Sequence, residues 1–411
     1  MEKSFTTRAL NVPFPKDDPY RALDMPVYES VAFEFRSSEE IAASFRGEFP
    51  AHAYSRTSNP TVEYFERKMK LLTGAWQSLA LSSGMAAITN TILAVCSSGD
   101  NIISGKQLFG HTFSLFSQSL SNYGLETRFA DTTKPEQVEA LIDKNTRLIY
   151  FETVTNPQLE IADIRKLADI ANANGILLVA DSTVTPPVVF CSREFGVHVE
   201  IMSTTKFISG GATSFGGVIL DNGNYDWIKN PHLKPLAEKY GKDAFITRLR
   251  KNYYRHTGSP MTAHTAHYQI AGLDILELRM DRCYETCMAL GAYLQQNPFV
   301  RKVTYPGLRS SENFYLARKQ FAGKPGAIMT FDLESQDICF RFMDKLKIIR
   351  RATNLNDNKS LIIHPYSTIY CELSDEERHE MGIRDTMMRL SVGIESVPDL
   401  IQDIEEALAA V

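Results

Sequence analysis

Gly175-Ile176-Leu177-Leu178-Val179-Ala180-Asp181-Ser182-Thr183 places an acid directly after an unbroken apolar run. Residues 176–180 offer no polar face. A strand here must be covered on both sides, as in a parallel sheet packed between helices. The helix expected over Ile164–Asn174 stops at Gly175, a residue suited to a left-handed cap. Further strands read at 78–82, 101–104, 126–130 and 148–151, with helices at 86–95, 112–123 and 137–142 between them. This alternation predicts an α/β fold.

Polar residues gather where these strands stop. They are Ser82-Ser83-Gly84, Glu152-Thr153, Asp181-Ser182 and Ser203-Thr204-Thr205-Lys206. Ligands of open α/β sheets bind at the carboxyl ends of strands, so four such ends converging point to one site. Lys206 lies between small hydroxyl residues and the glycine-rich segment 209–217. Partial desolvation there would lower its pKa and free the amine as a nucleophile. A lysine and a strand-end aspartate are the pair a pyridoxal phosphate (PLP) enzyme needs, one for the covalent link and one for the pyridine nitrogen. A surface lysine in a turn fits these two pieces equally well.

The chain has 411 residues, more than one core normally holds. Residues 1–53 read as an arm reaching a partner subunit. Its prolines at 13, 15, 19 and 26 keep the first half extended, and Ser37 caps a short helix. Residues 54–251 read as the cofactor-binding large domain and 252–411 as a small α+β domain. In the first, Val62, Phe65, Met69 and Leu72 recur at helical spacing until Gly74; in the second, one long helix is expected over 270–294. A net charge of -5 without a basic block argues against nucleic acid. No apolar run is long enough for a membrane span. Six scattered cysteines suggest a reduced, cytoplasmic protein.

Other segments carry weaker signals. Ser82-Ser83-Gly84-Met85-Ala86-Ala87 joins strand to helix, and its free amides suit a phosphate or simply a capped helix. Tyr54-Ser55-Arg56 could clamp a phosphate from outside or sit in a solvated cap. Arg389, in an apolar strand, either pairs with an internal acid or receives a carboxylate. His264 and His267 have metal-like spacing but no third ligand nearby. His111 follows a strand end and either faces the pocket or caps a helix.

Taken in order, these phrases resemble the Cys/Met-metabolism family of fold-type-I PLP enzymes. The matching stretches are Tyr54-Ser55-Arg56…Asn59-Pro60-Thr61, Ser83-Gly84-Met85-Ala86-Ala87, Asn156-Pro157, Asp181-Ser182-Thr183…Thr185-Pro186, Ser203-Thr204-Thr205-Lys206-Phe207 and Arg389-Leu390-Ser391-Val392-Gly393-Ile394-Glu395. The resemblance runs from about residue 50 to the C-terminus. It implies a mostly parallel, seven-stranded-type sheet with helices on both faces, and a smaller α+β C-terminal domain. By the same resemblance, Lys206 links to the cofactor and shuttles protons, and Asp181 pairs with the pyridinium. Ser83, the Gly84 and Met85 amides and the Ser203 and Thr205 hydroxyls hold the phosphate. Phe109 stacks on the ring and Asn156 lies near the 3′ oxygen. Arg389, Asn354 and His111 face the amino-acid substrate. Tyr54 and Arg56 reach a neighbour's phosphate, which implies at least a homodimer and commonly a homotetramer.

Within the family, residues 351–355, 360–365 and 214–227 are most similar to O-acetylhomoserine sulfhydrylases. Such enzymes replace the γ-acetate of O-acetylhomoserine with sulfide or a thiol. The alternative is a lyase acting on methionine or cystathionine. Three departures bear on the choice. Phe109 stands where many members have tyrosine; a phenyl ring stacks but transfers no proton. His111 stands where methionine γ-lyases have cysteine. Gly211 replaces a common histidine and Asn356 a common glycine. The first two favour the acyl-homoserine substrate, and a non-catalytic relative is disfavoured because Lys206 and Asp181 are both present.

Overall fold

The computed structural model describes residues 3–13 and 18–410. Pro15 and the first two residues, read above as part of the arm, lie outside the described residues. The strands of the larger sheet are β1 (Gln77–Leu81), β2 (Asn101–Gly105), β3 (Glu126–Ala130), β4 (Thr146–Glu152), β5 (Leu177–Asp181), β6 (Val199–Met202) and β7 (Gly217–Asp221). They lie in the order β1-β7-β6-β5-β4-β2-β3. β7 is antiparallel to both neighbours, and the other adjacent pairs are parallel. The expected α/β sheet is therefore present, with one reversed strand.

The apolar run that opened the sequence reading serves two cores. Leu178 and Ala180 join one buried cluster, while Leu177 and Val179 join the cluster on the opposite face. Successive side chains of a strand point to opposite faces, so a central strand covered on both sides has no polar position until its end. Asp181 is that end.

A second sheet comprises β8 (Lys302–Thr304), β9 (Ile328–Asp332), β10 (Arg350–Arg351), β11 (Leu361–Ile363) and β12 (Met387–Ser391), in the order β10-β11-β12-β9-β8. It is mixed, with only β10 and β11 parallel. Residue 389 sits in the middle of β12, between β11 and β9.

The Pro60–Thr73 helix begins at Asn59, whose side chain accepts from the Thr61 and Val62 amides. Val62, Phe65, Met69 and Leu72 are all buried, and Gly74 closes it in the left-handed conformation (φ 71°). Ser37 caps Ser38–Arg46 as expected.

Two expectations need correction. The helix over 270–294 is two, Ala263–Asp274 and Leu276–Gln296. Buried Lys68 pairs with Asp274, fixing an acid at a helix C-terminus that the dipole would otherwise disfavour. The first helix packs on Pro60–Thr73 and the turn after Lys206; the second packs on β8, β9 and the last helix. Residues 112–123 are not one α-helix. They pass from a short α turn (Gly110–Ser114) through a π turn (Leu115–Ser119) to a 3-10 turn (Ser121–Tyr123). The wider turn lets Phe116 meet the edge of Tyr150, with ring centroids 5.0 Å apart. Phe5 and Ala9 of the Phe5–Leu10 helix, at the start of the arm, join the core of this chain. Tyr20, Leu23, Val31 and Phe45, further along, are exposed.

Two glycines set the distance between the Ala263–Asp274 helix and the turn after Lys206. A Cβ on Gly272 would lie 2.1 Å from the Ile208 carbonyl oxygen and 2.8 Å from the Gly210 nitrogen. Gly272→Ala is therefore expected to cost ~1–3 kcal/mol by overpacking, read as a lowered melting temperature of the apoprotein.

Candidate active site

Four strand ends meet at one cavity of about 840 Å³. Ser83 and Gly84 follow β1, Glu152 ends β4, Asp181 ends β5 and Ser203 follows β6. The second sheet adds Arg389, and the segment before β11 adds Thr353, Asn354 and Leu355. Lys206, Met85, Phe109, His111, Asn156 and Thr205 complete the group of sequence-selected residues that the fold brings together.

Asp181 is held from two sides. Tyr150 Oη donates to Oδ2 (3.1 Å) and the Thr183 amide donates to Oδ1 (2.9 Å). Burial raises its pKa above the usual carboxylate range, while these donors pull it back. Among the described residues it has no salt-bridge partner. A cationic ring nitrogen placed against it would supply the missing charge. Tyr150 was not among the residues selected from sequence. Its signal is the two-residue spacing to Glu152, which puts both on the face of β4 that carries the cavity.

Lys206 Nζ donates to Asn354 Oδ1 (2.7 Å), and Asn354 Nδ2 donates to Asp357 Oδ2 (3.2 Å). Burial, with the nearby Arg389 charge, lowers the Lys206 pKa to about 8, partly opposed by Asp357. An amine with that pKa is substantially unprotonated at mildly basic pH, the form that attacks an aldehyde.

The Gly84–Val95 helix opens toward the cavity. Ser83 accepts from the Ala86 amide (3.0 Å), leaving the first helical amides without intrahelical partners. Gly84 is required here: a Cβ would lie 2.6 Å from Ser203 Cβ. Ser203 donates its amide to Thr183 Oγ1 (2.8 Å), and Thr205 Oγ1 exchanges hydrogen bonds with Gly216. A helix start flanked by two hydroxyl side chains is a cradle for a phosphate.

Arg389 is 2 % exposed. Its Nη1 donates to Asn156 Oδ1 (3.1 Å), and Nη2 donates to the carbonyls of Thr353 (3.1 Å) and Asn354 (3.0 Å). Nε is buried without a partner among the described residues. Burial lowers its pKa to about 10, so it remains a cation at neutral pH. A buried guanidinium without a carboxylate beside it fits an anionic ligand.

Phe109 and His111 stand edge to face, 5.0 Å between centroids, with His111 exposed on the cavity wall. Tyr54 and Arg56 do not reach this cavity. Arg56 lies over the Tyr54 ring (5.4 Å) and donates to the Arg255 carbonyl (3.0 Å) at the surface. His264 pairs with Glu29 (2.8 Å) on the first turn of its helix.

The glycine at 211, in the lysine loop, is required sterically. Gly211 has φ +131°, and a Cβ there would lie 2.4 Å from Asn358 Nδ2. That amide donates to the Gly210 carbonyl (2.7 Å), and Arg279 donates to the carbonyls of Phe207 and Gly272. Asn356 has φ 55°, a left-handed conformation that asparagine tolerates better than most residues.

A family profile described as Cys/Met metabolism PLP-dependent enzyme matches residues 6–409. The O-acetyl-L-homoserine sulfhydrylase of Corynebacterium glutamicum is 32% identical, over 99% of this chain and 97% of its own. The L-methionine gamma-lyase of Pseudomonas putida is 35% identical, over 99% and 97%. A crystal structure of a putative O-acetylhomoserine (thiol)-lyase from Campylobacter jejuni superposes with a TM-score of 0.95 at 30% identity, covering 99% of this chain and all of the other. That structure carries N'-pyridoxyl-lysine-5'-monophosphate. The O-acetylhomoserine sulfhydrylase of Wolinella succinogenes is 44% identical with a TM-score of 0.78, over 86% of this chain and 99% of its own.

The lowered Lys206 pKa gives a pH signature. Below about 8 the amine is protonated and cannot attack. Capture of PLP by the apoprotein, followed in the visible spectrum, is expected to rise with pH through about 8 and then level off. Lys206→Ala should abolish the covalent band at every pH. A side chain at 211 must displace Asn358, so Gly211→His should slow turnover and lower the melting temperature, with Asn358→Ala partly restoring both.

Proposed function

The chain belongs to the Cys/Met metabolism family of PLP-dependent enzymes, and on that footing we propose that it catalyses γ-replacement on O-acetylhomoserine. The acceptor is sulfide or a thiol, and the products are homocysteine or a thioether amino acid, with acetate. The observation that carries this reading is the charge inventory of the cavity. Lys206 and Arg389 are the only lysine or arginine side chains among the described residues lining it. Lys206 is taken by the cofactor and Arg389 by the substrate's α-carboxylate. None then remains in this wall for the second carboxylate of a succinyl ester. Ile88, Val154, Leu355, Ile369 and Phe215 line it instead, and they accept a small neutral acyl group.

Bound PLP supplies an electron sink that makes the protons on the substrate's Cα and Cβ acidic. Lys206 Nζ carries those protons. Arg389 orients the substrate by its carboxylate, with Nε the unused donor. Phe109 packs against the ring and offers no proton, so the leaving group must depart largely unaided. Acetate does this far more readily than a thiolate, which supports the ester substrate. Asp181 keeps the ring nitrogen charged. Ser83, Gly84, Met85, Ser203 and Thr205 hold the phosphate, and Asn156 stands by the 3′ oxygen. Residues 54–251 thus hold the cofactor, while 252–411 supply Asn354 and Arg389. His111, on the open side, meets the incoming acceptor.

Tyr54 and Arg56, placed away from this chain's own cavity, are assigned to a neighbour's phosphate. The active unit is then a homodimer or a tetramer built from it. All six cysteines are free, which fits a reducing cytoplasm. No described helix is long and apolar enough to cross a membrane.

The deciding measurement is a product assay. O-acetylhomoserine with sulfide should yield homocysteine and acetate, and O-succinylhomoserine should react poorly. The similarity to a methionine γ-lyase gives the second reading; release of α-ketobutyrate from methionine, without any sulfide-dependent product, would establish it. Asp181→Ala should cripple turnover. Arg389→Lys loses the planar fork, and its KM for the amino acid should rise by roughly 10- to 100-fold, about 1.5–3 kcal/mol.

A further inference from the structure

Glu152 ends β4 directly opposite Asp181 in the register of β4 and β5. Both carboxyls are on the cavity side, and neither has a salt-bridge partner among the described residues. The charges facing this pair are few. Tyr150 lies on the same strand, Glu200 of β6 adds a further acid near Asp181, Tyr370 and Arg389 approach from the small sheet's side, and Asp181 is the neighbour of Glu152. A bound pyridinium adds one positive charge, next to Asp181, and leaves Glu152 with none. Its work must therefore lie in hydrogen bonding.

That bonding has a definite target. Glu152 Oε1 accepts from the Phe109 amide at 2.7 Å. The carbonyl of the same peptide unit, Leu108 O, accepts from Tyr370 Oη at 3.1 Å. One peptide group, Leu108–Phe109, is thus gripped at both its polar ends. A related arrangement holds Asn156. Its amide also faces the Glu152 carboxyl, and its carbonyl, 2.9 Å from Tyr370 Oη, shares with Leu108 O the single proton of that hydroxyl. Two side chains therefore hold the backbones of the residue set against the cofactor ring and the residue set by its 3′ oxygen. Tyr370 and Glu152 are both buried.

We propose that Glu152 and Tyr370 form a clamp that positions Phe109 and Asn156 around the cofactor. The clamp has particular value in this chain. Phe109 lacks a hydroxyl with which to anchor its own ring, so its direction is set by its backbone. Glu152 acts here through its hydrogen bonds: burial, with the Asp181 charge, raises its pKa and so favours the uncharged form. Both are positioning residues and neither needs to touch the reacting atoms. The inference rests on the cofactor placement between Asp181 and Phe109 argued above.

The test compares Glu152→Gln, Glu152→Ala, Tyr370→Phe and the double variant Glu152→Ala/Tyr370→Phe. Glutamine keeps an acceptor oxygen, so Glu152→Gln should retain near-normal kcat and PLP affinity. Glu152→Ala and Tyr370→Phe should each lower kcat roughly 10- to 100-fold with little change in KM, as expected for a misplaced stacking group. Both should also weaken PLP binding and shift its visible band. In the apoprotein, deuterium uptake at the Phe109 amide should rise in Glu152→Ala while the melting temperature stays near that of wild type. The double variant should be less impaired than the product of the single effects, because either loss releases the same peptide. Glu152→Gln as impaired as Glu152→Ala would overturn the proposal, since charge would then be what matters. So would an unchanged spectrum and kcat in Glu152→Ala. Asp181→Ala separates the two levels: if it retains turnover and PLP, the cofactor placement itself is wrong; if it fails while Glu152→Ala is unaffected, only the clamp is wrong.

Discussion

Asp181 is a half-buried acid at the end of an apolar strand with no cation beside it among the described residues, and the rest of the site follows from that constraint. Burying a charge without a partner is costly, and the usual remedies are protonation or a counter-ion. Here Tyr150 and the Thr183 amide hold the group in place but leave it short of positive charge. A cationic ring placed there would supply it. The parallel sheet makes this possible, because adjacent strands end together and bring Glu152, Asp181 and Ser203 to one edge.

The chemistry is assembled across two sheets. Lys206 follows β6, yet its amine is held by Asn354, which lies near the edge of the small sheet. Arg389 comes from the centre of β12 and meets Asn156, which follows β4. Both cations lie in the interior, where their mutual repulsion and burial lower the affinity of the lysine for its proton.

The backbone around Gly210 and Gly211 is held by one group of contacts. Gly211 leaves room for Asn358, which holds the Gly210 carbonyl, and Arg279 holds Phe207 and Gly272 from below. Asn356 lies in the same segment, in a left-handed conformation that few residues besides glycine adopt readily. A histidine at 211 and the present Asn358 cannot both be accommodated without movement, so changes at these sites have to be considered together. Phe109 lines the same cavity, with its amide held by Glu152.

Much of this was legible in the chain itself. The run 176–181 required a doubly covered strand ending in an acid, since no polar residue interrupts its five apolar positions. The helices at Pro60–Thr73 and Ile164–Asn174 followed from their spacing and their terminal glycines. Lys206, Asp181, Ser83 and Arg389 could be selected because a strand end, a strand–helix turn or a buried arginine leaves a local trace. What only the tertiary structure decided were relations between distant segments. The Lys68–Asp274 pair beside the break at Ile275 forms only when two distant helices meet, and the placement of Tyr54 and Arg56 away from this chain's cavity depends on the path of the arm. The hold of Glu152 and Tyr370 on one peptide joins residues more than two hundred positions apart. Periodicity and caps are short-range properties set by backbone geometry, whereas a hydrogen bond between such residues exists only once the two sheets have packed.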